Sequence, residues 1–199
     1  MASDGGLRGS IRLVVALNLG FFIIETIAAL SIGSVALFAD SVDFLEDASI
    51  NLLILAGLAW TARARARLGM GLAGIILLPG LAAFVMAWHR FTAGTAPDAV
   101  VLGVTGIGAL AVNSVCALLL ARHRASGGSL TKAAFLSARN DTMANIAIVA
   151  AGILTASTHS LWPDLGVGLA IALLNAGAAH EVFTAARAEG RDESLSPKS

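Results

Sequence analysis

The chain has 199 residues, of which 57% are hydrophobic and 13% are charged, and its 13 basic and 13 acidic residues give a formal net charge of zero. A soluble globule of this length needs more polar surface, so the composition indicates a protein that lies in the lipid bilayer. No block of like charges is present, so nothing indicates a nucleic acid as a partner. The single cysteine, Cys116, excludes an internal disulfide framework and is expected to be a packed thiol.

Six apolar stretches are each long enough to cross the roughly 30 Å hydrocarbon core of a bilayer as a helix. Turn-like or charged segments separate them. The first stretch is expected to be retained in the mature protein, because it is too long for the apolar region of a cleaved signal. The sequence therefore predicts an all-α membrane protein with these transmembrane helices: Ile11 to Leu30, Val35 to Trp60, Leu68 to Trp88, Val100 to Leu120, Leu130 to Ala156, and Leu161 to Phe183.

Basic residues fall almost entirely on one side of the predicted helices, and the positive-inside rule places that side in the cytoplasm. Only Arg90 falls on the other side, and Arg139 lies inside a span. Both termini are therefore predicted to be cytoplasmic. Residues 1–10 are expected to form an N-terminal segment, 11–186 the transmembrane domain, and 187–199 a disordered tail too short for a soluble domain. The basic residues on the cytoplasmic side are Arg8, Arg12, Arg63, Arg65, Arg67, Arg122, Arg124, Lys132, Arg187, Arg191 and Lys198.

Carboxylates lie inside the predicted spans, where each ionisable group costs about 3 kcal/mol on insertion scales and usually persists for a reason. Helical spacing arranges most of them, with neighbouring polar residues, in two stripes. One stripe lies on the second span and contains Asp40, Asp43, Asp47 and Asn51. The other lies on the fifth span and contains Ser137, Asp141 and Asn145. The remaining carboxylates inside the spans are Glu25 and Glu46.

The two stripes are predicted to face each other at one depth. Asp47 lies 12 residues from the outer end of its span and Asp141 lies 11 residues from the inner end of its own, or about 18 Å and 17 Å at helical rise. Asp43, Asp47 and Asp141 are therefore expected to converge on one divalent cation, with Ser137 or Asn140 as a neutral oxygen donor. Without a cation, three such carboxylates would repel one another and hold protons, which predicts exchange of protons for metal.

An alternative interpretation is that these acids pair with one another or with Arg139 and only hold the helices together. A single buried base cannot neutralise six acids, and by its depth Arg139 is expected to pair with Glu46. Glu25 and Asp40 lie in the outer half, where they are expected to line an exit vestibule or accept protons, or equally to form hydrogen bonds between helices.

Neutral amides and histidines complete the polar residues of the spans. The amides are expected to bond across to neighbouring helices, and they are Asn18, Asn113 and Asn175. The histidines stand at or near span ends without metal-ligand spacing and are expected to be surface groups: His89, His123, His159 and His180.

The second span resembles the signature of the cation diffusion facilitator family of cation efflux proteins. In that family a turn of small residues leads to Ala-Asp and then to His or Asp, three residues, and Asp; here the run from Ser34 to Asp47 reads SVALFADSVDFLED. Asn18, Glu25, Asn113 and the Trp162-Pro163-Asp164 start of the sixth span are also similar to the family pattern, and the resemblance covers Asn18 to Ala186.

The resemblance implies a six-helix, usually dimeric exporter that exchanges zinc or a related divalent ion for protons. It assigns metal ligation to Asp43, Asp47 and Asp141. Ser137 stands where the family usually has histidine, and an all-oxygen site suits harder ions such as manganese, or binds more weakly. The family's usual cytoplasmic domain is not expected, so a homodimer would form through the transmembrane helices. No resident cofactor is implied, because the metal is the transported substrate.

Three classes of function are therefore weighed. The first is efflux of a divalent cation across the cell membrane, which explains the matched acidic stripes. The cation would be zinc-like, or manganese, cobalt or iron. A non-transporting membrane subunit or regulator with a degenerate metal site is the alternative. An enzyme is not expected, because no Ser-His or Cys-His arrangement is placed for catalysis.

Overall fold

The computed structural model describes residues 2–57, 71, 81–123, 128–175 and 177 of the chain. These residues form six helices and no strand, which confirms the all-α prediction. The remaining parts of the second, third and sixth predicted spans, the basic segment with Arg63, Arg65 and Arg67, His180 and the predicted tail lie outside the described residues. The helices are α1 (Ala2–Ile32), α2 (Val35–Gly57), α3 (described over 81–93), α4 (Ala99–Ala121), α5 (Gly128–Thr158) and α6 (Trp162–Asn175).

Three of the helices are long and apolar enough to cross a membrane, namely Gly6–Ile32 of α1, Ala99–Ala121 of α4 and Ala134–Thr158 of α5. α2 has the length but carries four carboxylates, and the described parts of α3 and α6 are short. The faces of the helices that point outward are apolar, as lipid requires. On α1, for example, Ile23, Ile27 and Leu30 are each more than half exposed. The six-span count and the orientation of the termini stay predictions.

α1 begins nine residues earlier than the predicted first span, at Ala2 instead of Ile11. The predicted boundary followed hydropathy, which drops at Arg8 and Arg12. Backbone hydrogen bonding does not stop where apolarity stops, so a helix can continue beyond the hydrocarbon. Residues 2–10 are thus helical and continuous with α1 in the structure.

Local sequence signals set the turns at the end of the molecule that contains Gly33. The Gly33 φ angle is 65° and the Gly94 φ angle is 68°, a left-handed conformation that glycine adopts at little cost. Ser34 then begins α2, since its hydroxyl accepts a 3.1 Å hydrogen bond from the Leu37 amide. Asp98 begins α4 in the same way, accepting from the amides of Val100 and Val101 at 2.9 Å.

Small residues allow the helices to pack closely. α4 and α5 form the most extensive pair, followed by α1 and α2, while α1 also contacts α4 and α2 contacts α5. A Cβ on Gly152 of α5 would lie 3.0 Å from the Gly103 Cα of α4, and one on Gly106 would lie 2.9 Å from Ile148 Cγ2. Close van der Waals contact of this kind holds helices together in lipid, because the apolar surroundings provide no hydrophobic driving force for helix association.

α6 is fastened to α2 at three levels. The Asp164 carboxylate caps the start of α2, a Cβ on Gly168 would lie 2.6 Å from the Ala36 nitrogen, and Asn175 Nδ2 donates a 3.0 Å hydrogen bond to the Ala39 carbonyl oxygen. α2 is therefore held on one side by α6 and on another by α5, which positions its acidic residues between them.

Candidate metal site between α2 and α5

The acidic stripe of α2 points into the protein. Asp40, Asp43, Asp47 and Asn51 are 0%, 9%, 2% and 0% exposed, respectively. Asn51 Nδ2 donates a 2.8 Å hydrogen bond to the Asp47 carbonyl oxygen one turn earlier, so this amide is used within its own helix. Of the carboxylates in this stripe, Asp40 lies beside Glu25 of α1, and Asp43 and Asp47 face α5 and α6.

The polar stripe of α5 faces α2, as helical spacing predicts. Ser137 Oγ donates a 2.9 Å hydrogen bond to Asp47 Oδ1, and two turns along, Asn145 Nδ2 donates a 2.6 Å hydrogen bond to Asp40 Oδ2. The Asp47 and Asp141 carboxyl groups also lie within hydrogen-bonding reach of each other. The two polar stripes thus face each other in the structure, at the relative depth that the sequence spacing predicts.

A cavity of about 210 Å³ opens between α2, α5 and α6 at the level of these contacts. All five residues predicted as metal ligands line it, together with Glu46 and, from α6, Asn175. The five are Asp43, Asp47, Ser137, Asn140 and Asp141. Every functional group that they supply is an oxygen or an amide, and no imidazole or thiolate is among the described residues that line the cavity. This set of ligands suits hard or borderline divalent cations.

One carboxylate beside the cavity keeps an oxygen atom that no hydrogen bond holds in the part of the chain that the structure describes. Among the described residues, Asp47 Oδ2 is buried and has no hydrogen-bond donor, while Oδ1 is held by Ser137. Asp43 feels the negative charge of Asp141, Asp40, Glu46 and Asp47. In the part of the chain that the structure describes, no three His, Cys, Asp or Glu side chains are already gathered closely enough to hold one metal ion. The cluster is thus acidic and oxygen-rich, and a cation would have to draw the carboxylates together.

Glu25 and Asp40 lie away from this cavity. Both are fully buried, Glu25 on α1 and Asp40 on α2, and neither is among the residues that line the cavity. Their carboxyl groups lie within hydrogen-bonding reach of each other. Of the two roles expected from the sequence, this contact matches hydrogen bonding between helices; a role in accepting protons stays a prediction.

Glu46 is buried beside the cavity, whereas Arg139 lies at the surface of α5. Glu46 is 8% exposed and lines the cavity, whereas Arg139 is exposed and donates a 3.4 Å hydrogen bond to the neighbouring Asn140 Oδ1. The ion pair between Glu46 and Arg139 stays a prediction. With its guanidinium on Asn140, Arg139 brings its positive charge to the edge of the cavity.

The amides expected to bond across helices do so. Asn113 Nδ2 of α4 donates to Asn145 Oδ1 of α5 at 3.0 Å, Asn175 bonds to α2, and Asn18 Oδ1 of α1 accepts from the Cys116 thiol at 3.5 Å. Cys116 is fully buried, as a packed thiol should be. Two of the histidines, His89 and His159, are exposed as expected; His123 is half-buried and its Nε2 lies 3.2 Å from Ser10 Oγ.

Sequence reasoning gave no role to Asp164, which the structure places at a structural site. Its Oδ1 accepts from Ser34 Oγ at 2.5 Å and from the Ala36 amide at 3.2 Å, and its Oδ2 accepts from the Val35 amide at 2.9 Å. The Arg90 guanidinium attracts this carboxylate and occupies the space that a Cβ on Gly33 would take. The signal available in the sequence was Pro163-Asp164 at a helix start, which predicts a cap but not that the capped helix is α2.

Comparison with known proteins agrees with this arrangement. The family described as the cation efflux transmembrane domain matches residues 11–188, which include both stripes and the Asp164 cap. No curated protein matches the chain significantly. Since the family match spans most of the chain, and since the six helices and the acidic cavity fit it, the chain belongs to the cation efflux family of membrane transporters.

Proposed function

We propose that the chain exports a divalent transition-metal cation from the cytoplasm across the cell membrane in exchange for protons. The observation that supports this most is the cavity of about 210 Å³, on which carboxylates from α2 and α5 converge. Buried acids that face a shared cavity are an arrangement in which a mobile cation is a natural partner.

Asp43, Asp47 and Asp141 are proposed to bind the metal through carboxylate oxygens. Ser137 and Asn140 are proposed as neutral oxygen donors at the α5 side of the cavity. The 2.9 Å hydrogen bond from Ser137 orients Asp47 and leaves its Oδ2 available to a cation. Because the described ligands are oxygen groups without an imidazole, we expect the site to accept manganese, iron or cobalt at least as well as zinc.

The proton exchange is supported by charge. Asp43, Asp47 and Asp141 surround one small cavity, and in a low-dielectric environment three negative charges at this spacing require compensation. Either a divalent cation or protons can supply it. The two forms of the site, metal-bound and protonated, then alternate, and the movement of α2 against α5 carries one form in each direction.

Metal-dependent proton flux in proteoliposomes tests the proposal. Purified protein is compared with Asp141→Asn across zinc, manganese, cobalt, iron and cadmium, with a proton-sensitive dye inside the vesicles. We expect flux with at least one metal and its abolition in Asp141→Asn. Asp98→Asn is the matched control, because Asp98 is an exposed helix cap outside the cavity. Flux that survives Asp141→Asn unchanged contradicts the proposal.

A second candidate is a non-transporting membrane subunit that keeps the fold with a degenerate site. The observation in its favour is that, within the described residues, no three acidic, histidine or cysteine side chains are gathered for a metal. The same experiment separates the two functions. Absence of flux with every metal, in protein that is monodisperse and helical, selects the subunit.

We also propose that the transporter is a homodimer formed through its transmembrane helices. Large apolar side chains cover the outer faces of α1, α4 and α5, so lipid and a second copy compete for the same surface. Light scattering of the purified protein in detergent, at several protein-to-detergent ratios, measures the mass. A mass of one chain at every ratio contradicts the dimer.

A further inference from the structure

Two buried carboxyl groups face each other outside the proposed metal site. Glu25 and Asp40 are both 0% exposed and lie within hydrogen-bonding reach of each other between α1 and α2. Among the described residues, neither Glu25 oxygen has a hydrogen-bond donor apart from what Asp40 can provide, and Asp40 Oδ1 likewise has none. A carboxylate oxygen cannot bond to another carboxylate oxygen unless one of them carries a proton.

A chain of two amides fixes the other side of Asp40. Asn113 Nδ2 on α4 donates a 3.0 Å hydrogen bond to Asn145 Oδ1 on α5, and Asn145 Nδ2 donates a 2.6 Å hydrogen bond to Asp40 Oδ2. In the structure the Asn145 oxygen accepts from Asn113 and its nitrogen faces Asp40, so the amide is a donor there. Asp40 is thereby held as the acceptor at Oδ2, and its free Oδ1 is left for Glu25.

The electrostatic surroundings act against two negative charges at this place. The charged groups that act on the pair are all acidic: Asp43 of α2 on both carboxyl groups, and Asp47 of α2 and Asp141 of α5 on Asp40. The nearest side chains of α4 and α5 are the neutral amides Asn113 and Asn145, and Asn175 of α6 is bonded to the Ala39 carbonyl. Two ionised carboxylates buried in contact, with acidic neighbours, would repel strongly, whereas one proton between them turns the repulsion into a hydrogen bond.

We infer that Glu25 and Asp40 bind one shared proton in a site separate from the metal cavity, and that Asn145, backed by Asn113, is its positioning residue. One carboxyl group is the acid and donates its O–H to the other, which is a carboxylate. The pair carries one negative charge with the proton and two without it. The Asn145 donor stabilises the carboxylate form of Asp40 and so places the proton on Glu25.

A role of this proton site in transport rests on the proposed exchange of metal for protons, whereas the shared proton itself does not. Asn145 and Asp141 lie one turn apart on α5, and Asp40 and Asp43 lie one turn apart on α2. A change in spacing between α2 and α5 at the metal cavity therefore also changes the contact between Asn145 and Asp40. Loss of that contact removes the donor that stabilises the Asp40 carboxylate, so metal movement and proton affinity become linked through Asn145.

Infrared spectroscopy of the full chain in lipid membranes tests the shared proton without any metal. The background is the triple variant Asp43→Asn, Asp47→Asn, Asp141→Asn, which removes the cavity acids. Addition of Glu25→Gln together with Asp40→Asn is expected to remove, at neutral pH, the absorbance of one protonated acid and one carboxylate. Asp98→Asn in the same background calibrates the signal, because this substitution replaces a single exposed carboxyl group.

The outcomes decide the inference in both directions. Loss of two carboxylates, or of two protonated acids, overturns the shared proton. Asn145→Ala is expected to shift the acid C=O frequency without removing it, while Asn18→Ala, a buried amide bonded to Cys116, leaves the frequency unchanged. Equal spectra for Asn145→Ala and its parent overturn the positioning role. The infrared test measures no transport, so a negative infrared result does not contradict metal flux. Absence of metal flux likewise does not contradict a shared proton seen by infrared spectroscopy. Circular dichroism and monodispersity exclude misfolded variants. Asp40→Asn alone gives a second measurement, because it is expected to shift the frequency of the Glu25 acid.

Discussion

Asp164 at the start of α2 and Asp47 near its middle differ in how many hydrogen bonds their carboxylate oxygens accept. At the start of the helix, Asp164 receives three hydrogen bonds, so both of its oxygens are used by the protein. Near the middle, Asp47 receives one from Ser137, and its second oxygen has no donor among the described residues. A buried acid whose two oxygens both accept hydrogen bonds from the protein joins helices, whereas one that keeps an oxygen without a donor beside a cavity is available to a ligand.

The largest effect is expected at the cavity. We predict that Asp47→Asn lowers metal flux by at least about 100-fold, since it removes a charged ligand. Its thermal stability should be unchanged or higher, because the substitution relieves repulsion among the acids. Flux in proteoliposomes and thermal unfolding of the same preparation check both parts. A fall in stability parallel to the fall in flux would assign Asp47 to the structural class of Asp164.

The opposite pattern is expected at the cap. Asp164→Ala removes three charge-assisted hydrogen bonds and should destabilise the protein by about 3 kcal/mol. The exposed cap Asp98, which accepts from two amides, provides the control, and Asp98→Ala should cost about 1 kcal/mol. Thermal or denaturant unfolding in one detergent measures the difference. We expect the order of preference among metals to stay the same in both variants, and a changed order for Asp164→Ala would connect the cap to the cavity.

The smallest effect sharpens the metal site itself. Ser137→His places an imidazole beside Asp47 and should raise the ratio of zinc flux to manganese flux by about tenfold, since nitrogen ligands favour zinc over manganese. Ser157→His on the same helix, exposed and outside the cavity, is the control. An unchanged ratio would mean that residue 137 orients Asp47 and does not touch the ion.

Periodicity was sufficient for the parts of the site that lie on regular helices. The steps of three and four along α2 and α5 place Asp47 opposite Ser137 because helix geometry is nearly invariant. Glu25 was harder to place: depth put it near Asp40, but a sequence gives no information on how α1 rotates about its axis, so its contact with Asp40 needed the structure. Asp164 was missed for a related reason, since it contacts residues about 130 positions away.

The attachment of α6 to α2 also has a consequence for how the protein enters the membrane. α2 carries four carboxylates, each costing about 3 kcal/mol on insertion scales, so it is a poor candidate to partition into lipid alone. Its hydrogen-bond partners arrive late in synthesis: the donors Ser137 and Asn145 with α5, and after them the Asp164 carboxylate, which accepts from the first amides of α2. The acidic helix therefore reaches its final environment only when α6 has left the ribosome, and until then α1 or the insertion machinery has to keep its carboxylates away from lipid.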